Sequence, residues 1–185
     1  AAGDKACAMG TRVHANQERM MHGQQPIADA VDEREAAIGA AGVAAMNAII
    51  AAGWRPAAAE RMVASYFYRL AGTVDAIFQS GGEVMLADWK TNAAIKRDNA
   101  YGVRCLPPIS HLPDCEYARY SLQLNLYERI LKRDGYYPAS TPIRMFIVHL
   151  TPDGFVAMPV ERTPDVEILL TDYLSYDWYS PLPPF

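Results

Sequence analysis

Cysteine is scarce in this chain: Cys7, Cys105 and Cys115 are all that occur in 185 residues. An odd, sparse set makes no secreted disulfide framework and points to a reducing, intracellular compartment. No CxxC pair occurs, and three thiolates cannot supply the four that an iron–sulfur cluster takes. Positive charge is also short. Lys and Arg number 17 against 21 Asp and Glu, a net charge of −4. A protein that coats nucleic acid by counterion release is usually basic, so contact with nucleic acid here needs a local basic patch or a bound cation. Neither a signal peptide nor an internal repeat is visible. One long stretch, Ala36 to Trp54, is almost free of charge, but it is mostly Ala and Gly with Asn47 in its middle. It carries too little transfer energy for a membrane span, and we read it as a small-residue helix buried against its neighbours.

What is present suits a folded domain. Hydrophobic residues make up 51%, charged 21% and aromatic 10%, which excludes a disordered tail and a collagen-like fibre. The length is that of about one domain, able to bury roughly 70% of its unfolded surface without a staple. Helices are predicted over Gly10 to His22 and Glu33 to Ala52, with Gly23 and Gly53 as stops. Pro56 breaks the pattern, and Val63, Tyr66, Phe67 and Tyr68 favour a strand. Strands at Gly72 to Gln79 and Glu83 to Lys90 flank a glycine pair, a hairpin signal. Residues 91–113 read as an irregular loop. A helix over Glu116 to Arg133, strands at Pro142 to Leu150 and Phe155 to Val160, and a helix over Asp165 to Leu174 complete the pattern. The order α-α-β-β-β-α-β-β-α describes an α/β domain with a mixed β-sheet flanked by helices. Pro181 to Phe185 reads as a tail or linker.

The hairpin carries the chemistry. With Gly81-Gly82 as a two-residue turn, Ser80 pairs with Glu83, Asp75 lies opposite Asp88, and Thr73 opposite Lys90. Strand alternation then puts these four residues on one face, while Val74, Ala76, Phe78, Met85, Ala87 and Trp89 form an apolar second face. Opposed side chains sit about 4.5–5.5 Å apart at Cβ, and two carboxylates at that spacing repel unless a cation joins them. Oxygen ligands converging on one point suit Mg²⁺ or Mn²⁺. Lys90, two residues beyond Asp88, reaches the same space. Divalent cation and amine together can generate a water nucleophile and steady the charge of phosphodiester hydrolysis. Alone, D-x-K is most often a solvated ion pair on a surface strand; the opposed Asp75 and the one-sided apolar pattern single this one out.

Further patterns line up in order: Gly10-Thr11-x-x-His14, Glu60, Gly72-x-x-Asp75, Asp88-Trp89-Lys90, and Gln123-x-x-x-Tyr127 on one helix face. The set "GTRVH … AGTVDAIF … VMLADWKTN … YSLQLNLYERIL" resembles the PD-(D/E)xK nuclease superfamily. It is most similar to the RecB-like branch, which includes CRISPR-associated adaptation nucleases and many phage and viral exonucleases. The likeness runs from about Gly10 to Leu150 and implies a restriction-endonuclease-like core, with residues 1–180 as one nuclease domain.

The resemblance implies roles as well. His14, Asp75, Asp88 and the Trp89 carbonyl would hold the metal, with Glu60 as an additional acid. Lys90 would activate water and stabilise the pentavalent phosphorus. Gln123 and Tyr127 would support the lysine and contact the nucleic-acid backbone. The iron–sulfur cluster of some RecB-like nucleases should be absent, because no cysteine follows Cys115. Lys96, Arg97, Arg104 and Arg119 could form the local basic patch, or an ordinary solvated face. The expected activity is hydrolysis of DNA, by exonuclease action on single strands or duplex ends in replication, repair or recombination, and the chain could be part of a larger protein. No membrane partner is expected. The alternatives are an RNA endonuclease of the cap-snatching type and a non-catalytic nucleic-acid-binding module.

Overall fold

The computed structural model describes residues 2–175; the Pro-rich stretch from Pro181 lies outside them. The elements are α1 (Ala2–Met21), α2 (Glu33–Ala51), β1 (Arg55–Ser65), β2 (Leu70–Ser80), β3 (Glu83–Lys90), α3 (Glu116–Arg133), β4 (Ile143–Thr151), β5 (Gly154–Val160) and α4 (Asp165–Ser175). The five strands form one sheet in the order β1-β2-β3-β4-β5. Neighbours are antiparallel except β3 and β4, which are parallel and joined through α3. The fold is α/β with a mixed sheet flanked by helices, and it is restriction-endonuclease-like.

Burial follows from that order. Central β3 is buried at every position from Val84 to Trp89, as a strand covered on both faces must be. On one face α1 and α2 pack Met9, Val13, Ile38 and Met46 against Phe78, Trp89 and Leu150. On the other, α3 and α4 pack Leu124, Ile130 and Leu170 against Ile77, Leu86 and Ile147. Each fully buried side chain of this kind contributes roughly 1.5–3 kcal/mol.

Helix α2 is long and apolar enough by composition to cross a membrane. Here it buries Ile38, Ala41, Gly42, Ala45 and Met46 and packs on α1, β4 and β5. Asp32 caps its start by accepting the Glu35 N–H at 2.8 Å. The buried Glu35 carboxylate takes two hydrogen bonds from Arg12 of α1, which hold its pKa below the ordinary carboxylate value. At Gly42 a side chain would collide with the Gln17 amide, so the small residues of α2 set how closely the two helices approach.

Two boundaries differ from the sequence reading. Helix α1 begins at Ala2, not Gly10, because nothing in the preceding alanine-rich turns stops it. Strand β1 begins at Arg55, and Tyr66–Tyr68 lie in the turn after it. Pro56 is tolerated because β1 is an edge strand, and pairing with β2 overrides the weak strand preference of the alanines.

Candidate active site

The hairpin forms with the turn the glycine pair requires, both glycines having positive φ (55° and 86°). Ser80 pairs with Glu83, and the ladder runs in that register to Ala76 and Ala87. There it stops, so Asp75–Asp88 and Thr73–Lys90 are not ladder pairs. Instead Asp75 Oδ2 accepts the Trp89 N–H at 2.9 Å, a side chain taking the place of a backbone partner. Beyond this point β2 stays with β1, Thr73 opposite Met62, and β3 stays with β4, Lys90 opposite His149. Alternation keeps Asp88 with Leu86 on the face toward α3, whereas Asp75, between Val74 and Ala76, reaches α1, its Oδ2 lying 3.7 Å from His14 Nδ1. Val74 departs from the expected apolar face and packs with the α3-side cluster. The alternation breaks where β1 kinks: Glu60, between Ala59 (opposite Ala76) and Arg61 (opposite Val74), has no ladder partner and a φ of 44°.

That kink brings Glu60 to the site. His14 from α1, Glu60 from β1 and Asp75 from β2 each offer a ligand atom, all within 4.8 Å of one another. His14 Nε2 lies 2.9 Å from the Trp89 carbonyl oxygen. A carbonyl can only accept, so Nε2 carries the proton and Nδ1 is the free nitrogen. Nδ1 lies 3.6 Å from Glu60 Oε1 and 3.7 Å from Asp75 Oδ2. A ring lone pair facing two carboxylates is repulsive until a proton or a cation lies between them. One nitrogen and several carboxylate oxygens suit a hard divalent ion.

Asp88 and Lys90 form the other half. Lys90 Nζ lies 2.7 Å from Asp88 Oδ2 and 4.6 Å from the centre of the Tyr120 ring. The Asp88 oxygen is fully buried and makes no hydrogen bond of regular geometry, so the ammonium is its near partner. Burial, and next the charge of Asp75, push the Asp88 pKa up to about 6, against the pull of Lys90. Burial also raises the pKa of Asp75, although His14, Lys90 and the Trp89 N–H draw it down. A second cation would relieve both acids.

Gln123 and Tyr127 stand one layer back. Gln123 Nε2 donates to the Tyr127 hydroxyl at 3.0 Å. The Tyr127 ring presses on Gly72, where a Cβ would lie 2.7 Å from Cε1 and 2.9 Å from the hydroxyl. The glycine of the G-x-x-D pattern is therefore the seat of the tyrosine on α3. Tyr120, not Tyr127, lies beside the lysine, and it donates to Asn92 Oδ1 at 3.2 Å. Sequence reasoning missed Tyr120; its spacing of three before Gln123, on the same helix face, was the available signal. Gly10 of α1 faces the chain after β3, but a Cβ there would make only an ordinary contact, 3.6 Å from Thr91 Oγ1.

The four basic residues of the expected patch have local partners. Arg97 stacks on Tyr117 at 4.1 Å, Arg104 donates to the His111 carbonyl at 3.3 Å, and Arg119 lies 3.7 Å from Asp114. Lys96 is exposed near Glu116. All four lie on the 91–113 segment or the first turn of α3.

Carboxylates, an imidazole and a lysine gather at the opening of a mixed sheet of the restriction-endonuclease-like class, a donor set that suits a divalent ion. The sequence profile of the PD-(D/E)XK nuclease superfamily matches residues 1–174, and the chain belongs to that superfamily. Its nucleases use divalent metal ions, and the donor set described here fits one. No curated protein matches the chain.

Proposed function

We propose that the protein is a Mg²⁺- or Mn²⁺-dependent deoxyribonuclease of the RecB-like kind, acting on DNA ends or single strands. One observation carries this reading: His14, Glu60 and Asp75 converge beside the Asp88–Lys90 pair, where the β2–β3 ladder opens. His14, Glu60, Asp75 and Asp88 would hold the ion, which when bound lowers the pKa of water and neutralises phosphate charge. The protein's own groups do the rest. The Nε2–H bond to Trp89 fixes the imidazole so that Nδ1 faces the acids. Asp75 is fixed by the Trp89 N–H. Lys90, held between Asp88 and the Tyr120 ring, donates to the phosphate oxygen on which charge develops. The likeness of Gln123-x-x-x-Tyr127 to the RecB-like motif supports exonuclease action. Three free cysteines support an intracellular setting.

Purified protein with Mn²⁺ on end-labelled linear DNA tests this. Asp75→Ala, Asp88→Ala and Lys90→Ala should each lower the cleavage rate roughly a thousandfold or more while far-ultraviolet dichroism stays unchanged. Linear DNA should be degraded and closed circles spared. Variants as active as the wild type would refute the site, and faster cleavage of RNA would refute the substrate.

A further inference from the structure

The turn joining β1 to β2 ends in aromatic side chains that the core does not use. Tyr66 is 98% exposed and Phe67 53%, whereas Tyr68 beside them is buried at 5%. Arg133, from the last turn of α3, places its guanidinium 3.8 Å from the Phe67 ring centre and 5.6 Å from that of Tyr68. Three residues on, Tyr136 lies beside the edge of β1, with Arg61 6.0 Å from its ring centre. Arg12, Arg119, Arg129, Arg144 and Arg162 each meet a carboxylate. Arg61, Arg69 and Arg133 have no ion-pair partner among the described residues. Arg61 and Arg133 thus stand over aromatic rings on this surface with no carboxylate partner.

That chemistry selects the occupant. A peptide adding to the edge of β1 would need its free backbone groups, but the Tyr136 hydroxyl occupies Ala64, 3.1 Å from its nitrogen and 3.4 Å from its oxygen. Unpaired arginines complement a polyanion, and exposed aromatic and guanidinium planes stack unpaired bases. Bases in a duplex are already stacked and cannot use them. The strand also leads to the right place. From Tyr66, β1 runs back through Arg61 to Glu60, roughly 20 Å at about 3.3 Å per residue.

We propose that the β1–β2 tip and the end of α3, through Tyr66, Phe67, Arg133 and Arg61, form a stacking platform for single-stranded DNA entering the site. The inference rests on the nuclease reading for what happens at the far end. Its test is binding of a labelled oligothymidine in EDTA, followed by fluorescence anisotropy. Tyr66→Ala combined with Phe67→Ala should weaken binding at least about fivefold, with a smaller loss on a blunt duplex of equal length. Arg133→Ala should reduce the slope of log affinity against log salt by about 0.7. An unchanged Kd overturns the platform and leaves the patch to a protein partner; equal losses on duplex and single strand, or no binding by the wild type, overturn it too. Wild-type cleavage of the same oligothymidine in Mn²⁺ separates the two readings. Cleavage without tip-dependent binding removes the platform alone, and tip-dependent binding without cleavage removes the nuclease alone.

Discussion

Asp88 makes the metal-free protein less stable at neutral pH than in mild acid. Its carboxyl has a pKa of about 6 in the folded chain against an ordinary 3.8, because burial and the Asp75 charge disfavour ionisation. Between those values the folded chain holds a proton that the unfolded chain has released. Stability therefore rises as pH falls through 6 and the gain is complete below 3.8. The span from 3.8 to about 6, at about 1.4 kcal/mol per pH unit, makes the gain about 3 kcal/mol. The perturbation is Asp88→Asn, whose amide stays neutral throughout. Urea unfolding of wild type and variant in EDTA, from pH 7 to pH 4, isolates the effect: the wild type should gain about 3 kcal/mol relative to the variant. Groups remote from Asp88 cancel in that difference. Saturating Mn²⁺ should abolish the trend, since a bound cation takes the place of the proton. A difference that stays flat, or falls on acidification, would refute the assignment of a strained, buried acid.

Two further outcomes follow from the geometry. Gly72→Ala should destabilise the fold by about 1–3 kcal/mol, since its Cβ meets the Tyr127 ring; in a Tyr127→Ala background, where that ring is gone, thermal unfolding should show Gly72→Ala costing little more. Glu60→Gln should weaken divalent-ion binding at least about tenfold by calorimetry, while leaving the Asp88–Lys90 pair in place.

Most of the fold was readable because its elements announce themselves locally. The glycine pair at 81–82 fixes the turn, the turn fixes the register, and β2 follows β3 as expected from Ser80–Glu83 to Ala76–Ala87, short of the expected Asp75–Asp88 and Thr73–Lys90 pairs. Helix α3 is bounded as its amphipathic pattern and the Asp134-Gly135 stop predict. The start of β1 was unreadable because Pro56 and a run of alanines carry no strand preference; only pairing with β2 makes them a strand. Asp75, Asp88, Lys90 and His14 were legible from spacing and motif order. Tyr120 and the central place of Glu60 were not. The first depends on how α3 crosses the sheet, and the second on a backbone kink that no side-chain pattern encodes.

The kink itself bears on function. A glutamate held at φ 44° is strained, and any residue with a freer backbone would relieve it. A few ångströms away, a histidine nitrogen faces two carboxylates, and Asp88 is buried with an oxygen short of hydrogen bonds. Each feature costs stability in isolation, and each lies where the β2–β3 ladder parts. The surrounding structure can impose them because β3 is packed on both faces and β2 is paired on both sides. Strain spread at random would read as poor packing. Concentrated within one opening, where the carboxylates and the imidazole gain from positive charge, it reads as a pocket shaped for cations: one divalent ion among His14, Glu60, Asp75 and Asp88, with the ammonium of Lys90 beside them.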